Sequence, residues 1–418
     1  MIRIPKGVKD VLPQDGYKWQ YVESVARKIC KLSNVKEIRT PTFEYTELFT
    51  RSIGDDTDVV SKEMYTFEDK GGRSLTLKPE GTACVARSYV ENSLEAESLP
   101  LKMFYITPVF RYENPQAGRY REHHQFGVEV YGAASALMDY EVIRLAYDYL
   151  SALGIKELKL RLNSIGCPVC RSKYNAALKE YLSSKMDSLC TTCKERFAKN
   201  PLRIIDCKVP SCKEVVSGTP RIIDYICDDC KEHLRQLEEY LTEAEITYEI
   251  DPDIVRGLDY YNKTVFEFVT TALGAQGTVC GGGRYDRLVE SVGGKPTPCV
   301  GFGLGLERLI MLMEALNLPF GNDNGIDVFV MNQNADFVKQ CLSMVRTLRS
   351  NGISAETDYT GRSLKAQFKY ADKIGARHAV VIGESEVSSD RYSVKRFSDG
   401  KIFEMKKDEI VGFLQGCR

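Results

Sequence analysis

Three arginines lie beside elements where a solvated arginine is not expected. Arg111 closes a strand-like run, Arg256 precedes a second alternating run, and Arg308 follows a glycine-rich stretch. A buried arginine is costly unless an anion meets it. Three arginines that converge on one cleft suit a triphosphate, whose charge needs several forked donors. The first chemical hypothesis from the sequence is therefore a phosphate-binding cleft.

The segment "RGLDYYNKTVFEF", residues 256–268, combines a cation with a strand pattern. Its period of two places Phe266 and Phe268 on one face and Glu267 on the other. The residue pattern leaves open which anion meets Arg256.

Residues 103–131 predict a long hairpin whose return strand has two unlike faces. Gln125, Gly127, Glu129 and Tyr131 share one face, and Phe126, Val128 and Val130 share the other. The glycine on the polar face leaves room for another group. Arg119 and Arg121 lie in the connecting loop. The alternative interpretation is an edge hairpin with a solvated polar face.

Two glycine runs, "CGGGRYDRL" at 280–288 and "GFGLGLER" at 301–308, are superficially like phosphate-binding loops. Neither has the spacing and the strand-to-helix context of a nucleotide fingerprint. We expect these glycines to let the backbone approach a flat ligand or a neighbouring strand.

Eight of the fourteen cysteines fall between residues 167 and 230, amid Lys, Asp and Glu. They form three CxxC pairs and one looser pair: Cys167 and Cys170, Cys190 and Cys193, Cys227 and Cys230, and Cys207 and Cys212. Four pairs suffice for two tetrahedral zinc sites of structural type. The gap from Cys170 to Cys193 fits a zinc ribbon, although spacing does not decide which pairs combine. The alternative is a helical insertion with unmetallated thiols.

The composition is that of an ordinary globular protein. The 418 residues contain 43% hydrophobic and 28% charged residues and carry a net charge of -1. At about 150 residues per domain this predicts two or three domains. Any nucleic-acid contact must come from local basic patches. Without an apolar run long enough to span a membrane, we expect a cytoplasmic protein with reduced thiols and no membrane contact.

The elements that must position these residues fall into two regions. The first contains predicted helices over 19–32 and 139–153, a strand over 36–49, and a strand, turn and helix over 74–90. The Pro, Gly and Asn residues of 317–325 predict a linker. After it, strands alternate with helices from residues 336 and 363, which predicts a small α/β domain with a largely parallel sheet.

Taken together, these motifs resemble the histidyl-tRNA synthetase family, a class II aminoacyl-tRNA synthetase family, over essentially the whole chain. "TPTFEYTELF", with Pro41, is similar to motif 1, "FRYENPQAGRYREHHQFGVEVYG" to motif 2 and "GFGLGLERL" to motif 3. "LKPEGT", "RGLDYYNKTVFEF" and "GGGRYDRL" resemble the histidine-specific elements, which are more specific than the class motifs.

The resemblance implies an α+β class II catalytic domain over residues 1–320 with an antiparallel sheet and a cysteine-rich helical insertion at 167–245. It also implies an α/β anticodon-binding domain over 326–418. The implied activity is activation of histidine by ATP with Mg²⁺, followed by transfer to the 3′-terminal hydroxyl of tRNA(His). Motif 1 implies a homodimer.

Residue roles follow from the same resemblance. Arg111 would bind the ATP α-phosphate, Arg308 the γ-phosphate, and Arg256 the substrate carboxylate and the α-phosphate. The remaining implied histidine contacts are Glu80, Thr82 and Gln125 at the amino group, and Glu129, Tyr261 and Tyr285 at the imidazole.

Nucleic-acid contacts are expected at two places. The motif 2 loop with Arg119 and Arg121 would face the acceptor end of tRNA. Arg362, Lys365, Lys369 and Lys373 form a basic stripe on a helix that the pattern starts after Ser363 as N-cap. A solvated helix face is the alternative for this stripe.

Some positions depart from the family pattern. Lys78 stands where arginine is usual, "KGVKD" replaces the commoner "KGTRD", and Arg287 stands where glycine is usual.

The alternative hypothesis for the function is the non-catalytic, synthetase-like regulatory subunit of ATP phosphoribosyltransferase. The intact "RGLDYY" element and the second domain argue against it, and the histidine-specific elements argue against a class II enzyme for another amino acid.

Overall fold

The computed structural model describes residues 1–54, 57–116, 118–272, 277–321 and 325–417. The chain divides into two compact units, Met1–Pro319 and Phe320–Arg418. Residues 322–324 of the predicted linker lie outside the described residues. Within the described ranges, none of the helices combines the length and apolar character needed to cross a membrane.

The first unit is built on one large and one small sheet. In chain order its strands are β1 Lys36–Glu37, β2 Phe43–Tyr45, β3 Tyr65–Glu68, β4 Ser74–Leu77, β5 Leu101–Phe110, β6 Glu122–Tyr131, β7 Lys159–Ser164, β8 Tyr248–Ile250, β9 Asn262–Val269, β10 Thr278–Arg284 and β11 Cys299–Gly305. The large sheet has the order β1-β5-β6-β11-β10-β9-β7-β8, and the small sheet the order β2-β4-β3. The interior pairs of the large sheet are antiparallel, as predicted. Its edge strands β1 and β8 pair in parallel, so the sheet as a whole is mixed.

Helices pack around these sheets. They are α1 Gly16–Leu32, α2 Thr46–Ile53, α3 Thr82–Glu91, α4 Ala136–Ala152, α5 Pro168–Ser183, α6 Thr191–Lys199, α7 Pro210–Val216, α8 Asp228–Glu243, α9 Leu288–Ser291 and α10 Leu306–Ala315. The predicted strand over 36–49 is wrong at its end, because α2 begins at Thr46. Phe49 and Ile53, one helical turn apart, are both fully buried, so helical spacing serves the core there.

The predicted hairpin is formed by β5 and β6, which pair from Leu101↔Tyr131 to Phe110↔Glu122. Strand β6 is an interior strand between β5 and β11. Its apolar face is buried, and on its polar face Glu129 is only 1% exposed. The interpretation of an edge hairpin with a solvated face is therefore wrong.

The cysteine-rich insertion is helical, as predicted, since α5, α6, α7 and α8 all lie between β7 and β8 in the chain. Its last helix, α8, packs along α4. Leu237 and Leu241 of α8 are completely buried, one turn apart. The insertion therefore shares a hydrophobic interface with the rest of the first unit.

A buried ion pair connects four elements of the first unit. Arg284, at the end of β10, and Asp139, in α4, are both fully buried and form a salt bridge. His233 Nε2 of α8 lies 2.7 Å from Asp139 Oδ2, and Thr264 Oγ1 of β9 donates to the same oxygen at 2.6 Å. Burial alone would raise the pKa of Asp139, but the charge of Arg284 and the contact with His233 hold it below its ordinary value.

The second unit is a five-stranded sheet flanked by helices. Its elements are β12 Val328–Asn332, α11 Val338–Ser350, β13 Ala355–Thr357, α12 Leu364–Lys373, β14 His378–Ile382, α13 Glu384–Ser389, β15 Tyr392–Arg396, β16 Ile402–Met405 and α14 Glu409–Gly416. The order is β13-β12-β14-β15-β16. The first three strands are parallel, but β14, β15 and β16 pair antiparallel. The prediction of a largely parallel sheet is correct only for the two pairs among β12, β13 and β14. The other two pairs are antiparallel, because β15 and β16 form a hairpin with no intervening helix.

Replacing Arg284 by Ala should lower the free energy of unfolding by about 3 to 5 kcal/mol, because it leaves the Asp139 carboxylate buried and uncompensated. Urea denaturation followed by circular dichroism measures this change. The control is Arg235→Ala, which removes an exposed pair with Glu232 and should leave the unfolding midpoint unchanged. Equal effects of the two substitutions would contradict the role assigned to Arg284.

Candidate active site and cysteine groups

A cleft with a cavity volume of about 330 Å³ lies in the first unit. Residues from the predicted substrate site line it: Glu80, Thr82, Arg111, Gln125, Arg256 and Tyr261. A cavity of this size is enough for a small ligand that is largely enclosed. The structure therefore brings residues from three separate sequence motifs into one place.

Glycines form part of the cleft wall, in one row across the large sheet. Gly127, Gly303 and Gly281 are paired neighbours on β6, β11 and β10. A Cβ atom on Gly303 would collide with the Gln125 amide, and one on Gly281 would lie 2.6 Å from Arg256 Nη1. The glycines are thus needed for room above the sheet, as the sequence indicated. What fills this room includes the protein's own polar side chains.

Glu129 is the centre of a buried hydrogen-bond network. Thr82 Oγ1 donates to its Oε1 at 2.7 Å, the Tyr105 hydroxyl donates to the same oxygen at 3.1 Å, and the Tyr285 hydroxyl donates to Oε2. Burial raises the pKa of Glu129 to about 8, although these hydrogen bonds oppose the shift. The side chain is therefore held mainly as a neutral acid at neutral pH. Tyr105, which sequence reasoning missed, fills the space above Gly127.

Arg256 meets an anion inside the protein. Its Nη1 lies 2.5 Å from Glu267 Oε1, and its guanidinium lies 5.4 Å from the ring centroid of Tyr261. Burial would lower the pKa of Arg256, but Tyr261 and Glu267 keep it above its ordinary value. Its Nε is buried without a hydrogen-bond partner in the described part of the chain. The cation is thus paired on one side and retains an unsatisfied donor.

Glu80 shapes the start of α3. Its two carboxylate oxygens accept hydrogen bonds from the backbone N–H groups of Thr82, at 2.9 Å, and Ala83, at 2.7 Å. Gln125 Oε1 accepts from the N–H of Gly81 at 3.0 Å. Burial raises the pKa of Glu80, and these hydrogen bonds reduce the shift. The turn of the "LKPEGT" element is therefore fixed by the polar residues that line the cleft.

The three predicted arginines are not equivalent in the structure. Arg111 and Arg256 line the cleft, and Arg111 Nε donates to Pro79 O at 2.8 Å. Arg308 is not among the residues that line it; its Nη1 donates to Thr278 O at 2.7 Å. Burial and the nearby charge of Arg119 lower the pKa of Arg308. Two of the three cations are thus brought together, and the third lies against the motif 2 loop.

The two arginines of the motif 2 loop already have partners. Arg119 forms an ion pair with Glu113 and is 48% exposed. Arg121 stacks on the Tyr112 ring, with 3.7 Å between its guanidinium carbon and the ring centroid, and its Nε donates to Glu113 O at 3.2 Å. A nucleic acid that binds these arginines must therefore either leave these contacts intact or replace them.

Two of the three departures from the family pattern, Lys78 and Arg287, behave differently. Lys78 is fully buried, and its Nζ donates to the carbonyl oxygen of Thr40 at 3.2 Å. Burial lowers the pKa of Lys78. Arg287 is 71% exposed and lies 4.0 Å from Glu290. Lys78 is therefore a structural residue, and Arg287 is a surface residue.

The eight clustered cysteines form two groups, each with its four sulfur atoms within 4.8 Å of one another. The first cysteine group is Cys167, Cys170, Cys227 and Cys230, and the second cysteine group is Cys190, Cys193, Cys207 and Cys212. The sequence left the combination of pairs open, and the structure places Cys170 and Cys193, which have the zinc-ribbon gap, in different groups. Because α8 brings its first turn back to the start of α5, pairs distant in sequence combine instead.

The geometry of both groups suits a tetrahedral metal ion. Adjacent sulfurs are 3.5 Å (Cys167 to Cys170) and 4.0 Å (Cys190 to Cys207) apart. Zinc–sulfur bonds of about 2.3 Å at tetrahedral angles place sulfurs about 3.8 Å apart. The Cys227 N–H donates to Cys170 Sγ at 3.0 Å, and such bonds stabilise a thiolate. A hydrogen bond from the backbone of Cys193 lowers the pKa of Cys190 to about 7. Either group could therefore hold a metal ion.

In the second unit, α12 carries the predicted basic stripe. Lys365, Lys369 and Lys373 are exposed, whereas the Arg362 guanidinium lies 2.7 Å from Asp358 and stacks on a tyrosine ring. Ser363 occupies the N-cap position, as predicted, although its side chain makes no capping hydrogen bond. The accessible cations of this helix are therefore the three lysines.

Comparisons with known proteins were made for the whole chain. Residues 7–309 match the family model "Histidyl-tRNA synthetase", and residues 327–416 match "Anticodon binding domain". The histidine--tRNA ligase of Caldanaerobacter subterraneus subsp. tengcongensis is 52% identical over 410 residues, covering 98% of each chain, and that of Clostridium novyi is 51% identical over 416 residues, covering 99% of each. The crystal structure of the apo histidyl-tRNA synthetase of S. aureus is 36% identical, with a TM-score of 0.85 over 99% of this chain and 100% of that one.

Replacing Glu129 by Gln should change how stability depends on pH. With its pKa raised to about 8, the folded carboxyl keeps a proton that the unfolded chain releases near pH 4.5. The wild-type free energy of unfolding should therefore fall, relative to the variant, by at least about 1 kcal/mol between pH 5 and pH 8. Urea melts across this range measure the difference.

The matched control for this experiment is Glu290→Gln, at a carboxyl that is 53% exposed. We expect its stability to follow the wild-type pH course. A constant difference between wild type and Glu129→Gln from pH 5 to pH 8 would show that Glu129 is ionised throughout.

Proposed function

Because the chain belongs to the histidyl-tRNA synthetase family, we propose that the cleft around Glu129 and Arg256 is where it carries out the family reaction. The chain is a histidine--tRNA ligase by its full-length similarity to proteins of that name. Histidine is activated with ATP to histidyl-adenylate, with release of pyrophosphate, and is then transferred to the 3′-terminal hydroxyl of tRNA(His). The observation that carries the site assignment is the buried Glu129 network beside the Arg256 cation.

The imidazole of histidine is bound at Glu129 and Tyr261, with Tyr285 holding Glu129 in place. The neutral Glu129 acid and the surrounding hydroxyls offer both donors and acceptors to the two ring nitrogens. An apolar side chain of similar size would leave these buried groups unpaired, which costs about 1 to 3 kcal/mol for each group. Glu80, Thr82 and Gln125 line the cleft with Tyr261. They contact the amino group of histidine, and Glu129 reaches this site through its hydrogen bond with Thr82.

Arg256 and Arg111 act on the reacting atoms. An oxygen of the histidine carboxylate attacks the α-phosphorus, and the bond to pyrophosphate breaks. Arg256 orients the carboxylate and, with Arg111, stabilises the charge that builds on the α-phosphate oxygens. Arg308 binds the γ-phosphate. The triphosphate therefore extends from the cleft toward the motif 2 loop. Little covalent help from the protein is needed, so positioning supplies most of the rate.

Metal ions have two separate roles in this proposal. The carboxylates of Glu113, Asp206 and Glu267 line the cleft and would hold the Mg²⁺ that accompanies ATP, which would neutralise charge on the phosphate oxygens. Zinc in the two cysteine groups is structural, because all four ligands come from the protein and leave no open position for a substrate.

The tRNA is contacted in each unit. Lys365, Lys369 and Lys373 of α12 bind phosphates of the anticodon stem-loop, and Arg119 and Arg121 face the acceptor end. The match of residues 327–416 to an anticodon-binding domain supports the first contact. We also propose that the enzyme works in the cytoplasm as a homodimer, as motif 1 implies.

The experiment that tests this function is amino-acid-dependent exchange between ATP and pyrophosphate, with Mg²⁺ and each of the twenty amino acids. Exchange is expected with histidine alone. Arg256→Ala should lower the exchange rate about 100-fold or more, with a smaller change in the histidine KM, because the lost interaction is strongest in the transition state.

The control for this experiment is Arg235→Ala, on the surface of α8, which should exchange at the wild-type rate. Near-normal exchange by Arg256→Ala would remove Arg256 from the chemistry. No histidine-dependent exchange by the folded wild-type chain would overturn the proposed site as a whole.

Replacing Lys365, Lys369 and Lys373 together by Ala should raise the tRNA KM and leave histidine-dependent exchange unchanged. The slope of log affinity against log salt should fall in magnitude by about 2 to 3, since each lost phosphate contact removes about 0.7 to 0.9. Charging assays at several salt concentrations measure both effects.

Lys339→Ala provides the control for the lysine substitutions. It removes an exposed charge on α11, which packs on the sheet face of Val328 and Val330, opposite the Phe329 and Met331 face covered by α12. An equal reduction of the slope of log affinity against log salt in Lys339→Ala would indicate a general charge effect instead of a binding face.

A further inference from the structure

The segment Arg256–Tyr261 has no helix or strand structure, and side chains of the insertion hold it. Arg203 Nη1 donates to the carbonyl oxygen of Arg256 at 2.9 Å. Arg171 Nη1 donates to the carbonyl oxygens of Tyr261, at 3.1 Å, and Asp259, at 3.4 Å. These bonds reach the backbone at both ends of the segment, so they fix where its side chains lie.

A fourth bond from the insertion, from a third donor residue, reaches the middle of this segment. Asn200 Nδ2 donates to Asp259 Oδ1 at 2.7 Å. Arg203 also lies beside Asp58, 3.9 Å away, and lines the cleft with Arg256. None of the three donor residues belongs to a motif recognised in the sequence, because their contacts with the segment form only in the folded chain.

One donor is next to a member of the first cysteine group in sequence, and the other two lie in the stretch between members of the second group. Arg171 directly follows Cys170 in α5. Asn200 and Arg203 lie between Cys193 and Cys207, in a stretch that begins where α6 ends. The first cysteine group thus fixes the Arg171 end of the segment, and the second fixes the Arg203 end.

The stretch around the second cysteine group consists of short helices, held in part by buried apolar residues such as Leu202 and Ile204. The helix α6 has nine residues and α7 has seven, and helices of this length are not stable alone in water. In small zinc domains the binding of zinc to four thiolates is coupled to folding, so that its free energy stabilises the folded state. A metal ion would therefore order the residues that carry Asn200 and Arg203.

We propose that metal ions in the two cysteine groups set the position of the Arg256–Tyr261 segment, with Arg171, Asn200 and Arg203 as positioning residues. The cysteine-rich insertion then has a catalytic consequence without touching the substrate. This inference rests on the proposed contact of Arg256 and Tyr261 with histidine. It goes beyond that proposal by making substrate affinity depend on metal bound outside the cleft.

The first test separates positioning from folding. Arg203→Ala should raise the histidine KM about 10- to 100-fold in the exchange assay, the range found when groups that support a ligand shell are removed. Its ATP KM and its zinc content should stay near the wild-type values, and Arg203→Lys should recover part of the loss. The control is Arg221→Ala, at an exposed position of the same insertion.

The second test removes the metal from the full chain. Zinc is counted by atomic emission, and hydrogen exchange of residues 254–263 is followed by mass spectrometry before and after chelation. We expect two zinc ions per chain, and faster exchange of this segment together with a higher histidine KM after their removal. Cys190→Ser, which alters the second group alone, should expose the Arg203 end of the segment.

The outcomes distinguish this inference from the proposed function. Normal histidine-dependent exchange by a chain that holds no zinc, or by Arg203→Ala with an unchanged histidine KM, overturns the inference and leaves the function intact. Absence of histidine-dependent exchange in the zinc-loaded wild type overturns the function itself.

Discussion

The buried ion pair between Arg284 and Asp139 is the interaction on which the geometry of the site depends. Two charges without solvent access are tolerated only when nearly every donor and acceptor is satisfied, which few arrangements of the surrounding elements allow. The contacts of His233 and Thr264 with Asp139 therefore fix α4, α8, β9 and β10 relative to one another. The residue after Arg284 is Tyr285, whose hydroxyl holds Glu129. The same pair thus places the substrate pocket and the helix that begins the second half of the first cysteine group.

The glycines of the large sheet follow from this arrangement. The polar face of the sheet has to hold Glu129, Gln125, Tyr105 and Arg256 at once, and these are large side chains. At Gly127, Gly303 and Gly281 any Cβ atom would meet one of them. Glycine in the middle of a strand weakens it, so this stretch gives up some strand stability in order to hold polar groups over the sheet. Buried aromatic and β-branched residues elsewhere in the sheet, such as Phe266 and Val265, compensate for this loss of strand stability.

The sequence predicted local features well and distant partners poorly. The alternation on either side of residues 111–121 predicted the hairpin and the two faces of β6, because period and turn are local properties. The Tyr285 bond to Glu129 joins residues far apart in the chain, and the grouping of Cys170 with Cys230 depends on where α8 returns. The sequence indicated that Arg256 needs an anionic partner, but only the folded structure identifies Glu267 as that partner. The helical start at Thr46 was missed because a short alternating run favours a strand until the burial of Phe49 and Ile53 is known.

The electrostatic state of the folded cleft favours one kind of ligand. Glu80 and Glu129 are both buried, and the charge of Glu80 is one reason why the pKa of Glu129 is raised. A neutral Glu129 avoids repulsion between the two carboxyls and keeps a proton that it can donate. Arg256 remains charged because Glu267 compensates it, but its Nε stays buried without a partner among the described residues. In the proposed binding mode, the carboxylate of histidine pairs with Arg256 and a ring nitrogen accepts the Glu129 proton, so one ligand satisfies both groups. Under the proposed assignment of Glu129, selectivity for an imidazole side chain would follow from the same desolvation that raises the pKa of this residue.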